Sequence, residues 1–244
     1  MERNGELIGM ISKRNVLVYA NKNGDGANKL DCHRLKPFQG SSRVDRFMSA
    51  PVVTMRPNES IRLAAKAMLE EGIHAVAITN GEYLFGIVTE SDLLKCYSED
   101  DIALRPPERE GELADWMSSN VHCVQAGDSC TELMRIMKEY HVRHVPVVDE
   151  QQRLVGIVSE GDVLLGGNVT KTGYHVSPES CSANSPRCAA DLMSENAITL
   201  SSESTLEDAA RIMVEHSLSS IPIVDKDRLV GIVTSTDLLR PLCS

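Results

Sequence analysis

The chain has 244 residues, of which 42% are apolar, so it can bury a core in one large domain or two smaller ones. Its formal net charge is −10 and no basic block offsets it, which argues against a protein that binds nucleic-acid backbones. No apolar run has the length of a membrane span, and the first residues lack an apolar signal core. These features predict a cytoplasmic protein with no membrane partner.

The cysteines predict neither disulfides nor a metal site. There are seven of them, an odd number, and their spacing matches no disulfide framework, so we expect reduced thiols. His175, Cys181 and Cys188 lie in a stretch rich in Ser, Asn and Pro, and their spacing matches no zinc pattern.

One unit occurs three times along the chain. Each copy opens with a bulky apolar residue, a Met and a Ser, and we call these the opening segments: Phe47-Met48-Ser49, Trp116-Met117-Ser118 and Leu192-Met193-Ser194. A helix follows, predicted from apolar residues at three- and four-residue intervals. In the first and last copies these residues are Ile61, Ala64, Ala65 and Met68, and Leu206, Ala209, Ala210 and Met213.

Two strands and a second helix complete the predicted unit. The first strands are Ala75–Ile78, Val145–Val148 and Ile221–Val224. The second strand carries Gly-Ile-Val, and its glycines, Gly86, Gly156 and Gly231, are 70 and 75 residues apart. The sequence therefore predicts an α/β (α+β) fold built from tandem β-α-β-β-α repeats.

The helix ends are also signalled. Ser129 with Glu132 and Ser204 with Glu207 have the spacing of capping boxes, and Gly72 follows the first helix.

These signals define the domain boundaries. Repeats are predicted at 43–98, 112–166 and 188–244, with linkers at 21–42, 99–111 and 167–187. Residues 1–20 contain Gly9-Met10-Ile11-Ser12 and match the C-terminal part of a further repeat. Because a partial repeat cannot cover its own apolar face, we expect the parent protein to have four repeats.

The repeats resemble those of the cystathionine-β-synthase (CBS) family. The resemblance lies in the Met-Ser start, the strand His144-Val145-Pro146-Val147 and the closing Gly-x-x-Thr/Ser-x-x-Asp. It implies that repeats pair into Bateman modules whose clefts hold AMP, ADP or ATP, or else S-adenosylmethionine or a cyclic dinucleotide, with no required cofactor. The chain is similar to four-repeat proteins such as the γ subunit of AMP-activated protein kinase and its prokaryotic relatives.

By family habit the last two repeats would pair with each other. The repeat at 43–98 would then pair with a missing copy, with the N-terminal fragment or with another chain.

The closing motif lies where a strand turns into a helix, and free N–H groups there attract a phosphate. Hydroxyls that could donate to the phosphate are Thr89, Ser91, Ser159, Thr234 and Thr236. Carboxylates that could accept from the ribose hydroxyls are Asp92, Asp162 and Asp237. The last repeat has the most complete set and ranks first. The same Thr/Ser-x-x-Asp pattern can equally be a helix cap, and this alternative stays open.

Further contacts are implied by the resemblance alone. Val76, Val145 and Ile221 would flank the adenine, with Thr54 and Thr199 near its polar edge. Arg143 and His144 resemble the basic pair that contacts phosphates in the kinase γ subunit.

The sequence shows no Walker loop and no nucleophile–base arrangement, so we predict that the chain is not an enzyme. The hypothesis is a regulatory module that senses an adenine nucleotide and signals to an unidentified partner protein, with a homodimer expected. The alternatives are a ligand-independent scaffold or dimerisation module, or the regulatory piece of a larger enzyme or transporter.

Overall fold

The computed structural model describes residues 2–3, 6–12, 15, 43–97, 111–165 and 188–243. The remainder of the N-terminal fragment, most of the three linkers, and His175 and Cys181 lie outside these ranges. Within them, no helix is both long and apolar enough to cross a membrane.

The described part of the chain contains eleven strands and six α-helices. The strands are β1 (Glu2–Arg3), β2 (Glu6–Leu7), β3 (Thr54–Met55), β4 (Ala75–Thr79), β5 (Leu84–Thr89), β6 (Val124–Gln125), β7 (His144–Val148), β8 (Leu154–Ser159), β9 (Ser194–Glu195), β10 (Ser220–Asp225) and β11 (Arg228–Thr234). The α-helices are α1 (Ile61–Glu71), α2 (Glu90–Leu94), α3 (Cys130–Glu139), α4 (Glu160–Leu165), α5 (Ala189–Leu192) and α6 (Leu206–His216).

The first two repeats have the predicted β-α-β-β-α order. In the repeat at 43–98, β3 runs parallel to β4, and β4 pairs antiparallel with β5. The strands β6, β7 and β8 repeat this arrangement at 112–166.

The last repeat departs from this order at both ends. A single parallel bridge, Leu200 to Ile223, replaces its first strand. Its predicted final helix is instead two 3-10 turns, Asp237–Leu239 and Pro241–Cys243. Pro241 has no N–H to donate, so a continuous α-helix is interrupted there.

The first helix has the predicted end and an additional cap. The hydroxyl of Ser60 accepts a hydrogen bond from the N–H of Leu63 at the start of α1. Gly72 ends the helix in the left-handed conformation, with a φ of 61°. A residue without a Cβ adopts this conformation without strain.

The two predicted capping boxes differ in outcome. Ser129 caps α3 and accepts from the N–H three residues on, but in the described structure the reciprocal bond of a box is not formed. The box predicted for Ser204 and Glu207 is wrong, because Thr205 is the cap and Asp208 bonds back to it. The shorter Asp side chain, one position later, completes the same exchange of bonds.

The chain divides into two compact units. One contains Met1–Gly9, Ala50–Val121 and Ile198–Ser244, and the other contains Met10–Ser49 and His122–Ala197. In the first unit a single hydrophobic core takes Met68 and Leu93 from one repeat and Met213 from the last repeat. The Tyr97 hydroxyl, which is buried, donates to the Leu238 carbonyl at 2.7 Å. This shared core was not predicted.

The opening segments exchange places between repeats. The segment that begins the repeat at 112–166 pairs with the last repeat, through Ser118 and Ile232. The segment that begins the last repeat forms β9 and pairs with β8. The hydrophobic core, however, joins the last repeat to the repeat at 43–98, so the expectation that the last two repeats pair with each other is not confirmed. The first opening segment pairs through Ser49 with Met10 of the N-terminal fragment, one of the partners expected for it.

Candidate functional site

The three strand-to-helix junctions share one hydrogen-bonding pattern. In each, one carboxylate oxygen of the Asp accepts from the hydroxyl and from the backbone N–H of the Thr or Ser three residues earlier. The hydroxyl distances are 2.7 Å for Thr89 and Asp92, 2.6 Å for Ser159 and Asp162, and 2.7 Å for Thr234 and Asp237. The corresponding N–H distances are 3.1, 2.8 and 2.9 Å.

The helix-cap alternative therefore describes the hydrogen bonds of all three junctions, although in the last repeat Thr236 is the residue before the 3-10 turn and makes no side-chain cap bond. The hydroxyls of Thr89, Ser159 and Thr234, predicted to donate to a phosphate, donate to their own Asp instead. Each Asp uses its Oδ2 atom for both bonds, so its capacity for a ribose depends on Oδ1.

In two junctions Oδ1 already faces a cation. Asp92 Oδ1 lies 2.9 Å from Lys95 Nζ, and the hydrogen bonds from Lys95 and Thr89 hold the pKa of Asp92 below its usual range. Asp237 Oδ1 lies 3.3 Å from an Arg240 guanidinium nitrogen, and Asp237 is only 5% exposed. A ribose would have to compete with these ion pairs.

The third junction differs. Asp162 is half-buried, and its Oδ1 makes no hydrogen bond or ion pair with any described residue. His144 pairs with Ser159 across β7 and β8, so the imidazole is close to this carboxylate. Burial and, less strongly, the charge of Arg143 lower the pKa of His144, Asp162 partly opposes the shift, and the resulting pKa is about 4. At neutral pH only Arg143 of the predicted basic pair is charged.

The apolar residues predicted to flank adenine lie in the cores. Val76, Val145 and Ile221 have no exposed surface and belong to the hydrophobic clusters of their units. Contact with adenine would require the core to open. Thr54 and Thr199, in contrast, are exposed.

The two remaining predicted hydroxyls have different surroundings. Ser91 is exposed and makes no hydrogen bond in the described structure. Thr236 donates to Glu90 Oε1 at 2.9 Å, and Ser235 donates to Glu90 Oε2 at 2.7 Å. Thr236, predicted to donate to a phosphate, therefore donates to a carboxylate of another repeat.

Glu90 connects two of the junctions. It begins α2 directly after Thr89, and its carboxylate accepts from Ser235 and Thr236, which directly precede Asp237. His74 Nδ1 also lies 2.9 Å from Glu90 Oε1. Burial raises the pKa of Glu90, but the donors from His74, Ser235 and Thr236 lower it more, and the net pKa is below its ordinary value.

Comparison with known protein families identifies the repeat. The family model described as "CBS domain" matches residues 44–99, 113–166 and 189–243. The chain belongs to the CBS-domain family.

Two curated relatives match about half of this CBS chain. A homoserine O-acetyltransferase from Methanohalobium evestigatum is 29% identical over 129 residues, which are 52% of this chain and 23% of the enzyme. The chloroplastic CBS domain-containing protein CBSX1 from Arabidopsis thaliana is 27% identical over 138 residues, which are 50% of this chain and 58% of that protein. The chain therefore spans less than two thirds of either relative.

A solved structure extends the likeness to the whole CBS chain. The crystal structure of protein MJ1225 from Methanocaldococcus jannaschii covers 97% of this chain and 84% of its own. It has a TM-score of 0.70 at 22% identity, which shows a common fold.

The motif of the CBS repeat did not point to Glu90. Its position corresponds to Glu160 in the next repeat and Ser235 in the last. The acid-to-serine change between copies is the one signal in the sequence that could have suggested a contact. Within the described residues, no group of three or more His, Cys, Asp or Glu side chains could hold a metal ion.

Proposed function

We propose that this CBS protein is a regulatory module that binds an adenine nucleotide or a related adenosyl ligand and signals its presence to a partner protein. The candidate ligands are AMP, ADP, ATP and S-adenosylmethionine, with cyclic dinucleotides included in the test. The partner is unidentified, and a homodimer in the cytoplasm remains our expectation.

The observation that carries the proposal is the unpaired Oδ1 of Asp162. A half-buried carboxylate oxygen without a partner can accept from the 2′ or 3′ hydroxyl of a ribose, while Oδ2 keeps its bonds to Ser159. A hydrogen bond to a charged acceptor contributes about 1.5–3 kcal/mol. The charged guanidinium of Arg143, which immediately precedes β7 and His144, suits the phosphate end of the ligand.

The ranking of the copies changes accordingly. The sequence ranks the last repeat first, because all its motif residues are present. There, however, Asp237 is buried beside Arg240, and Thr236 is bound to Glu90. We place the principal site at the junction of the repeat at 112–166.

Isothermal titration with AMP, ADP, ATP, S-adenosylmethionine and a cyclic dinucleotide tests the proposal. Asp162→Asn should weaken binding about 10- to 100-fold, as the loss of a charge-assisted hydrogen bond predicts. Removing one ribose hydroxyl from the ligand should weaken binding to the wild-type protein less. If no ligand produces heat, nucleotide sensing is refuted.

Asp191→Asn is the matched control. Asp191 Oδ2 accepts from the Cys188 N–H at 3.0 Å and caps α5 as Asp162 caps its own junction, but Asp191 lies outside the three Gly-x-x-Thr/Ser-x-x-Asp motifs. It should leave the affinity unchanged. Equal effects of the two substitutions would mean that Asp162 acts through helix capping alone.

A second candidate function is a scaffold whose motifs only finish helices, and the capping hydrogen bonds of all three junctions favour it. In that case Asp162→Asn lowers the melting temperature, and no nucleotide shifts it in the wild-type protein. The match to 23% of a homoserine O-acetyltransferase is also compatible with a regulatory piece of a larger enzyme.

A further inference from the structure

The repeats differ in what lies against the glycine of their second strand. A Cβ added at Gly156 would come within 2.7 Å of Met193 Sδ, and one added at Gly231 would meet Met117 more closely still. In both cases the Met belongs to an opening segment. A Cβ added at Gly86, the matching glycine of β5, would have no atom within 4 Å.

The backbone beside this glycine shows the same difference. Ser118 and Ile232 exchange two hydrogen bonds, of 2.9 and 3.0 Å, and Ser49 and Met10 exchange two of 3.1 and 2.7 Å. In each pair the Ser lies opposite the residue that follows a glycine, Gly231 in the first pair and Gly9 in the second. That residue in β5 is Ile87, and in the described part of the chain β5 pairs with β4 alone. An edge strand presents unpaired N–H and C=O groups to any strand that can add to it.

The side chains of β5 are unusually exposed for their type. Phe85 is 61% exposed and Ile87 is 53% exposed, and Tyr83 in the preceding turn is 67% exposed. The matching Val155 and Ile157 of β8 are both half-buried, and none of the large exposed apolar residues lies on β8 or β11. A contiguous apolar patch beside an open edge is typical of an interaction site.

We propose that the outer edge of β5 binds an extended segment of the opening type, a bulky apolar residue followed by Met and Ser, supplied from outside residues 1–244. The Ser pairs with Ile87 in antiparallel fashion, and the Met side chain lies on Gly86. The three opening segments of this chain are already paired, with Met10, β8 and β11. The segment that binds β5 is therefore none of these three. Its recognition combines main-chain hydrogen bonds with the packing of one Met side chain on Gly86.

A labelled peptide with the sequence of residues 112–121 is a suitable probe, because it contains Trp116, Met117 and Ser118. Its binding to the full chain is measured by fluorescence anisotropy. Gly86→Val places side-chain atoms where the Met would lie. Because a Cβ added at Gly86 has no atom within 4 Å, the variant should fold. Gly127→Val, also without a neighbouring atom, is the matched control in another repeat.

The wild-type protein and Gly127→Val should bind the peptide, and Gly86→Val should bind it about 10- to 100-fold more weakly, the value of burying one Met side chain. A peptide with Met117→Asp should also lose binding. Equal binding to wild type and Gly86→Val would overturn the proposal, because the peptide would then be displacing an internal segment. The absence of peptide binding would also overturn the proposal. Sedimentation then distinguishes two cases: a monomer, or a dimer that Gly86→Val dissociates. The dimer would mean that a second copy covers the edge of β5 in another way.

Discussion

Substitution of Glu90 by Ala tests the contact between the first and last repeats. Glu90 is 7% exposed and accepts from Ser235, which is 3% exposed, and from Thr236. Hydrogen bonds to a charged acceptor contribute about 1.5–3 kcal/mol each, but the truncation also removes a carboxylate that is costly to bury. His74 adds little, because its side chain is 45% exposed. We expect the free energy of unfolding to fall by about 2–4 kcal/mol.

Guanidinium denaturation followed by tryptophan fluorescence measures this loss, because Trp116 is the one tryptophan in the chain and packs against the core of the same unit. Glu71→Ala, on the exposed end of α1, is the control and should change stability by less than about 0.5 kcal/mol. A double-mutant cycle of Glu90→Ala with Ser235→Ala should give a coupling energy of about 1–3 kcal/mol. If Glu90→Ala is as stable as the control, the contact does not hold these repeats together.

The pH dependence follows from the lowered pKa of Glu90. A carboxyl group whose pKa is lower in the folded than in the unfolded state stabilises the protein above the unfolded value, about 4.3. This contribution is lost as the pH falls through the folded pKa. The stability difference between wild type and Glu90→Gln should therefore be constant near pH 7 and decrease below about pH 4. A difference that grows on acidification would refute the assignment of Glu90 as the ionised acceptor.

Three further predictions concern single residues. His144, with a pKa of about 4, should remain neutral in NMR titrations at pH 6. Because its pKa is lowered in the folded state, its contribution to stability should fall as the pH decreases from about 6.5 to 4. A titration midpoint near 6.5 would contradict its burial. Gly231→Ala should destabilise the protein by about 1–2 kcal/mol in thermal unfolding, because the added Cβ would collide with Met117. Gly86→Ala should be neutral or slightly stabilising. Similar effects at both sites would contradict the difference between the two strands. Thr205→Ala should destabilise α6 by about 1 kcal/mol and Ser204→Ala by less, and the reverse order in denaturant unfolding would restore the cap predicted from the sequence.

Local signals in the sequence predicted most of the repeat unit correctly. The strands, the buried face of α1 and the end of that helix at Gly72 depend on periodicity and on the conformational preference of one residue, and both are visible in a short window. The cap of α6 was misplaced by one position, because Ser204 and Thr205 are both good caps and their neighbours Glu207 and Asp208 are both acids.

The candidate site was less predictable, because its properties depend on distant contacts. The motif places Asp92, Asp162 and Asp237 in equivalent positions, but it does not show which Oδ1 atom meets a cation. The loss of Thr236 as a phosphate donor results from Glu90, 146 residues away in the chain. Burial of Val76 and Ile221 likewise reflects a core shared by two repeats, which no pattern within one repeat indicates.

The exchange of opening segments has a consequence for how such a chain can change in evolution. Deleting the residues of the repeat at 112–166 would remove the strand that completes β11, and deleting the last repeat would expose the edge of β8. Loss of either copy alone would therefore create an aggregation-prone edge in a repeat that was not itself altered. Loss of both together removes each segment with the strand it completes, so these two repeats should be retained or lost as a pair.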